Sequence, residues 1–581
     1  MKKKKPKEFH EHIKAYREGP SKDEALSGVK IAVLTSFAVE GIKEVLSVRC
    51  WHEGIEPEIF VGDYNQYSRL MLDPESALYK FSPDILFLFI DVRSLWGEDF
   101  YRPYSISSQQ RQDLVSSQLE QIEVLLKSFH SNSKGLVVIH NLEIPGYSPL
   151  GWAESKQKDG FLKMIRMFNE KLEDIVRDDP GSFVFDYESF LARKGKDFSI
   201  DPQMYYMADM RIAPGLIPAM CDEYISILKP FLSKTRKCIV LDLDNTLWGG
   251  VAGEDGMSGI ELGPTPQGRP FWEFQKHLLA LFERGIILAV NSKNNLEDAL
   301  KIIQDHPFMV LRQEHFAAME INWDDKVSNM RKIAQNLNIG LDSLVYFDDD
   351  PFNREIMSEF LPEVFTVDLN EDPADYVRVL TSLKELNTLS ITDEDRLKGR
   401  MYVQERKRKE LVKSAGNVED YLRQLEMVVS IHPMDNFSLP RIAQLTQKTN
   451  QFNLTTRRYR EMELAGLMSL PNWRIYGVWA KDKFGDNGLV GVMMCRIEGQ
   501  TWILDNFLLS CRVIARGVED TMLAFVTRAA MEQGATQLLG EFIPTQKNKV
   551  AEDFFKMNGF SPDGRLLLNK EPNGAIKKSV R

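Results

Sequence analysis

The sequence predicts an α/β fold in three domains: two α/β units on parallel sheets, then a smaller α+β unit. Three observations predict it. The chain has 581 residues, too many for one hydrophobic core when domains run to about 100–200 residues. Its first two thirds alternate near-continuous apolar runs with helical stretches, the pattern of parallel strands buried on both faces. Its last third carries short strands separated by turn signals such as DNG.

In the first unit KIAVLTSF, IEPEIFVGDYNQ, SPDILFLFIDV and GLVVIHNLEIP read as strands. Between them SQQRQDLVSSQLEQIEVLLKSF spaces its apolar residues by three and four, as a helix does. The second unit is expected to start after a helix near residues 216–232, with the domain boundary drawn at 216. The strands KCIVLDLD, IILAVNSKN, SLVYFDDD and VFTVDL follow, separated by three helical segments. The mixed-charge stretch DEDRLKGRMYVQERKRKELVKSAGNVEDYLRQLEM reads as a solvated helical connector. In the last unit MVVSIHPM, WRIYGVWAKD, LVGVMMCRIEG and TWILDNFLLS read as antiparallel strands. The helix GVEDTMLAFVTRAAMEQG, the strand ATQLLGEFI and the helix NKVAEDFFKMNGF close it. The expected organisation is an N-terminal extension over 1–27, domains over 28–215 and 216–388, a connector over 389–427, and a last domain over 428–581.

Composition excludes some function classes. Lys and Arg number 73 against 84 Asp and Glu, a formal net charge of −11. An acidic balance argues against a nucleic-acid binder, because phosphate backbones reward clustered cations. No window is long and apolar enough to span a membrane. The lysines of MKKKKPKEFHEHIKAYREG have no apolar stretch behind them, so no signal peptide is read and a cytoplasmic protein is expected. Five cysteines lie far apart, without a C-x-x-C pair, which argues against a disulfide framework.

The chemistry gathers at the strand ends of the second unit. Asp242 and Asp244 end CIVLDLD, and their i, i+2 spacing puts both carboxylates on one side of the strand. Thr246, Gly249 and Gly250 then turn the chain. A buried carboxylate pair repels itself and calls for a cation, and oxygen ligands beside phosphate favour Mg2+. IILAVNSKN offers Ser292, whose hydroxyl can hold a phosphoryl oxygen. NWDDK offers Lys326, which can offset the negative charge. SLVYFDDDP offers Asp348, Asp349 and Asp350 as further metal oxygens. Phosphoryl transfer needs positioning and charge neutralisation, and these parts suit both.

DLDNTLWGG, SKN, NWDDK and FDDDP, in that order, resemble the four motifs of the haloacid dehalogenase (HAD) superfamily. KCIVLDLDNTLWGGVAGEDGMSGIELG is similar to its FkbH-like branch, subfamily IIIC. The resemblance implies a Rossmann-like fold without a large cap, since little sequence separates Asp242 from Ser292. It implies Asp242 as the nucleophile forming an aspartyl-phosphate and Asp244 as general acid, then base. Ser292 would bind the phosphoryl group and Lys326 would steady the intermediate. Asp348 and Asp349, with Asp242 and the main-chain carbonyl of Asp244, would hold Mg2+. Thr246, Asn291 and Lys293 flank these positions and would contact a small phosphorylated metabolite. FkbH-like proteins are also associated with passing an acyl group to an acyl carrier protein through a cysteine thioester. Asn291 stands at that cysteine's place and cannot form one.

The flanking units carry fainter resemblances. The first resembles an SGNH-hydrolase-like or flavodoxin-like fold, with Ser36 in the nucleophile's place, Gly62 in the second block and Asp91 replacing the third block's Asn. MADMRIAP supplies Asp209 and Arg211 but no histidine, so a degenerate domain is expected. The last is similar to a GNAT-type acyltransferase. Arg512, Arg516 and Gly517 in RVIARGVE match its pyrophosphate loop, which would take the phosphates of CoA or phosphopantetheine at a helix start. TQKTNQFNLTTRRY reads as a grip for an anionic substrate or carrier protein, or as a structural loop. The leading expectation is a Mg2+-dependent phosphatase, with or without coupled acyl transfer. The alternatives are a carrier-binding scaffold and a GNAT-type N-acyltransferase with an accessory HAD domain.

Overall fold

The computed structural model describes residues 8–20, 27–391, 393–459, 461–545 and 548–568. The chain forms two compact units, Met1–Thr235 with Lys384–Leu389 and Arg236–Leu383 with Ser390–Arg581.

In the first unit the strands β1 (Ser27–Thr35), β2 (Ile55–Val61), β3 (Ile85–Phe89), β4 (Leu136–His140) and β5 (Ser182–Phe185) form a parallel sheet in the order β2-β1-β3-β4-β5. Every residue of β3 is buried. Phe87 and Phe89 face one core while Leu86 and Leu88 face the other, which is why ILFLF has no polar alternation. The strand β5 has no counterpart in the sequence reading: SFVF is four residues long and only its ends are buried. The helix Ile217–Phe231 closes the first unit, so the domain boundary lies near 235 and not at the expected 216. Its Ile217, Met220, Tyr224 and Leu228 lie in the same core as β1 and β3, and Tyr224 stacks on Phe87 with ring centroids 3.8 Å apart.

The second unit holds two sheets. The first contains β6 (Cys238–Leu241), β7 (Ile287–Ser292), β8 (Phe316–Ile321), β9 (Leu344–Phe347) and β10 (Phe365–Thr366), all parallel, in the order β10-β9-β6-β7-β8. The edge strand β8 escapes the sequence reading because FAAMEI mixes small and charged residues and is partly exposed toward its end. With β6 central, the carboxyl ends of β6, β7 and β9 lie side by side and deliver Asp242, Ser292 and Asp348 to one edge. Between β6 and β7 only the short helix Ala252–Gly259 intervenes before the helix Arg269–Arg284, so the second α/β layer carries no large cap.

The helix Asp393–Ser414 is not the solvated connector its charges suggest. It packs along β8, with Val403 and Arg408 buried, and the Arg406 guanidinium donates to the Gln313 carbonyl at 3.1 Å. A mixed-sign helix needs only a few buried positions to dock, and those few do not produce an apolar stripe.

The remaining sheet contains β11 (Val428–Pro433), β12 (Phe452–Asn453), β13 (Trp473–Asp482), β14 (Gly485–Glu498), β15 (Thr501–Leu509), β16 (Gln537–Gly540) and β17 (Arg565–Leu567). Its order is β11-β13-β14-β15-β16-β17, antiparallel except for β15 with β16, and β12 pairs with the end of β15. The helix Val518–Glu532 covers it through Val518, Met522 and Val526, giving the expected α+β layout. The closing helix is shorter than expected: of 548–560 only Phe554–Met557 is α-helical, after a 3-10 turn at Lys549–Ala551. No helix among the described residues is long and apolar enough to cross a membrane.

Candidate active site

β6 is apolar and fully buried, so the chain leaves the sheet at its first polar residue, Asp242, whose amide donates to the Phe347 carbonyl at 2.9 Å. The turn that follows is tight. Asn245 adopts a left-handed conformation (φ 52°), and its Oδ1 accepts from the Gly250 amide at 3.0 Å. This folds Thr246 back beneath β9, where its Oγ1 accepts from the Asp349 amide at 3.2 Å.

Lys326 is the hub. Its Nζ lies 2.8 Å from Asp242 Oδ2 and 2.5 Å from Asp348 Oδ2, and its side chain is only 6% exposed. Burial works to depress the ammonium, but the two carboxylates overcome it and raise it. Asp348 is also held by the Tyr346 hydroxyl, the Asp350 amide and Asn353. Asp242, Asp348 and Asp349 each bring a carboxylate oxygen within 4.8 Å of the others. Burial raises the Asp242 carboxyl despite Lys326. Burial, then the charges of Asp242 and Asp348, raise Asp349 to about 6. Three carboxylates against one ammonium leave two negative charges in a buried place, which is the deficit a divalent ion fills. Among the described residues, Asp242 Oδ1, Asn291 Oδ1 and Ser292 Oγ are buried without a hydrogen-bond partner. Orphaned polar atoms on Asp242 and at the end of β7 suit a metal and a phosphoryl oxygen.

The sequence-predicted residues divide as follows. Asp242, Lys326, Asp348 and Asp349 meet. Asp244 stands apart from the carboxylate cluster: its Oδ1 accepts from Trp248 Nε1 (2.9 Å) and the Ala252 amide (3.1 Å), and its Oδ2 from Asn294 Nδ2 (2.9 Å). Its side chain therefore points away from metal ligation, and burial raises its carboxyl against those three donors. Asn291 is wholly buried and donates to the Lys326 carbonyl at 2.8 Å, so it supports the hub from below. Lys293 is exposed. Asp350 caps the helix Pro351–Phe360. A cavity of about 450 Å³ opens beside Asp349, lined by Asn245, Phe271, Asp350, Glu371 and Tyr376. Trp248, Asn294, Tyr346 and Arg354 went unnoticed in the sequence. Trp248 and Asn294 lie inside the quoted motifs, and Arg354 braces the loop by donating to the Asp348 and Asp349 carbonyls.

The flanking sites are closed. Ser36 is buried, and its hydroxyl accepts from the Asp91 amide at 2.9 Å; among the described residues no histidine hydrogen-bonds to it. Arg211 pairs with Asp91 (2.7 Å) and Asp209 (2.9 Å), so both carboxylates are committed to an ion network. In the last sheet the residues expected to hold CoA or phosphopantetheine do not fit its phosphates. Arg516 donates to both Glu405 oxygens at 2.9 Å, and the Ala515 amide donates to Glu519 Oε1 at 3.1 Å. Glu405 and Glu519 thus engage Arg516 Nη2 and the Ala515 amide, while Arg516 Nη1 is buried without a hydrogen-bond partner among the described residues, and Arg512 turns to Ser510 and Met401. Gly517 takes φ 77° just ahead of the helix Val518–Glu532. In TQKTNQFNLTTRRY, Arg457 is likewise engaged, by Asp505 at 2.9 Å and Glu541 at 2.7 Å, which favours the structural-loop reading.

The family described as FkbH, N-terminal domain, matches residues 30–229. The crystal structure of the N-terminal part of the protein BF1531 from Bacteroides fragilis, containing a phosphatase domain complexed with Mg, is 30% identical. It matches with a TM-score of 0.61 over 66% of this chain and 100% of that one. The ribosomal-protein-S18-alanine N-acetyltransferase from Escherichia coli is 12% identical, with a TM-score of 0.20 over 25% of this chain and 98% of that one. The paiA N-acetyltransferase from Thermoplasma acidophilum, in complex with coenzyme A, is 14% identical, with a TM-score of 0.19 over 23% of this chain and 90% of that one. No curated protein matches the chain.

Proposed function

Because the chain belongs to the family that joins an FkbH N-terminal domain to a phosphatase domain, we propose that it is a Mg2+-dependent phosphatase acting through an aspartyl-phosphate on a small phosphorylated metabolite. The observation that carries this reading is the Asp242–Asp348–Asp349 cluster, with Lys326 paired to Asp242 and Asp348 as its ammonium partner among the described residues. Asp242 Oδ2 is tied to Lys326, while Oδ1 has no hydrogen-bond partner among the described residues and is the oxygen left to attack phosphorus. As the Oδ1–phosphorus bond forms, the bond to the leaving oxygen breaks and that oxygen takes a proton from Asp244. Water then attacks the aspartyl-phosphate, gives its proton back to Asp244 and releases inorganic phosphate. Ser292 Oγ and Lys326 hold the phosphoryl oxygens through both halves. A bound Mg2+, on Asp242, Asp348 and Asp349, would offset the charge of the carboxylates and the transferring group.

Acyl transfer to a carrier protein or CoA is the finer reading the resemblance suggests. Asn291 offers no thiol, and the Cys238 thiol is buried in β6, where burial pushes it up, away from the reactive thiolate. We therefore favour hydrolysis. The cavity beside Asp349 has room for a small molecule. p-Nitrophenyl phosphate should be hydrolysed with Mg2+ and not with EDTA, and intact-mass spectrometry should detect no acyl adduct on the protein. Hydrolysis that persists in EDTA would sink the metal-dependent reading.

A further inference from the structure

We propose that Asn294, together with Trp248, is a positioning residue that holds the Asp244 carboxylate as proton donor to the leaving group. The inference rests on the phosphatase reading above and adds to it the device that aims the acid. Asp244 sits at the start of a tight turn, where a carboxylate can adopt several rotamers. Trp248 Nε1 and the Ala252 amide both donate to Oδ1, at 2.9 and 3.1 Å, and so use both of its in-plane lone pairs. A proton carried by Asp244 therefore belongs on Oδ2. Asn294 Nδ2 donates to that same oxygen at 2.9 Å, which leaves one lone-pair direction on it for the proton.

The Asn294 amide cannot turn over to present its oxygen instead. Its Oδ1 already accepts from the Asn295 amide at 2.9 Å, which fixes Nδ2 toward Asp244. Asn294 is 4% exposed and Trp248 is wholly buried, so both donors are held by packing. The residues come from two strand ends: Trp248 from the turn after β6, and Asn294 two positions beyond Ser292 on β7. The acid is thereby tied to the strand that carries the phosphoryl-binding serine. During transfer, as the leaving oxygen takes the Oδ2 proton, Asp244 becomes a carboxylate, and all three N–H donors strengthen onto it.

The test compares kcat/KM for phenyl phosphate and p-nitrophenyl phosphate with the full-length protein and Mg2+. p-Nitrophenolate leaves without a proton, whereas phenolate needs one. Losing a hydrogen bond to a charged group is worth roughly ten- to a hundredfold in rate. Asn294→Leu should therefore lower kcat/KM on phenyl phosphate at least about tenfold further than on p-nitrophenyl phosphate. Trp248→Phe, which keeps the ring and removes the N–H, should show the same bias. The isosteric Asn294→Asp serves if the leucine variant does not fold. Equal losses on the two substrates, or no loss, in the folded variants would overturn the proposal. Asp242→Asn separates the two failures: an active Asp242→Asn defeats the phosphatase reading itself, whereas an inactive one beside unbiased Asn294 variants defeats only the positioning role.

Discussion

At Asp349 the charge balance of the site becomes measurable. Its carboxyl is raised to about 6, first by burial and then by the charges of Asp242 and Asp348. A raised carboxyl means that the fold prefers the protonated form. Without metal, this group's contribution to stability is present below the unfolded value of about 3.9 and is lost as pH rises through about 6. A metal ion needs the ionised form, so its affinity runs the other way and tightens across the same window. The rise in melting temperature on adding Mg2+ should be larger at a pH of about 7.5 than at about 5. Asp349→Asn should flatten that difference. A rise equal at both pH values would show that Asp349 does not share the ion.

At the level of elements, the tie between the helix Asp393–Ser414 and the β13–β14 hairpin is a buried ion pair. Arg408 donates to both Asp482 oxygens at 2.7 and 3.0 Å, with side chains 3% and 0% exposed. Arg408→Met keeps the helix and leaves Asp482 buried without its cation, which costs about 3–5 kcal/mol. Urea unfolding followed by circular dichroism should show the midpoint fall, and an unchanged midpoint would mean that the pair sets no stability. The same helix marks the limit of what sequence discloses. Apolar runs such as ILFLF and CIVL name their strands because both faces are buried, and the polar residues after them name the site. SFVF and FAAMEI are short and partly exposed, so no periodicity marks them. The DLDNTLWGG, SKN, NWDDK and FDDDP motifs located the carboxylates and Lys326, since several carboxylates at apolar strand ends call for a cation and Lys326, at the start of a helix, supplies one. The partners of Asp244 were hidden because a Trp and an Asn inside a motif look the same whether they pack or donate. The closure of RVIARGVE was hidden because it depends on Glu405, more than a hundred residues away.

Across the whole molecule, chemistry is concentrated in one sheet edge while the flanking sites are filled by the chain's own charges. In the first unit Arg211 pairs with Asp91, whose amide donates to Ser36. In the last sheet Glu405 and Glu519 engage the Arg516 Nη2 and Ala515 donors that a pyrophosphate would use. Coenzyme A should therefore produce no shift in melting temperature, since a ligand stabilises only what it binds. A saturable shift would restore the acyltransferase reading. The central claim is that Asp242 attacks phosphorus, and replacing that one oxygen tests it most directly. With Mg2+ and p-nitrophenyl phosphate, Asp242→Asn should fold like the parent and lose hydrolysis to background, whereas activity unchanged in that variant would contradict the account.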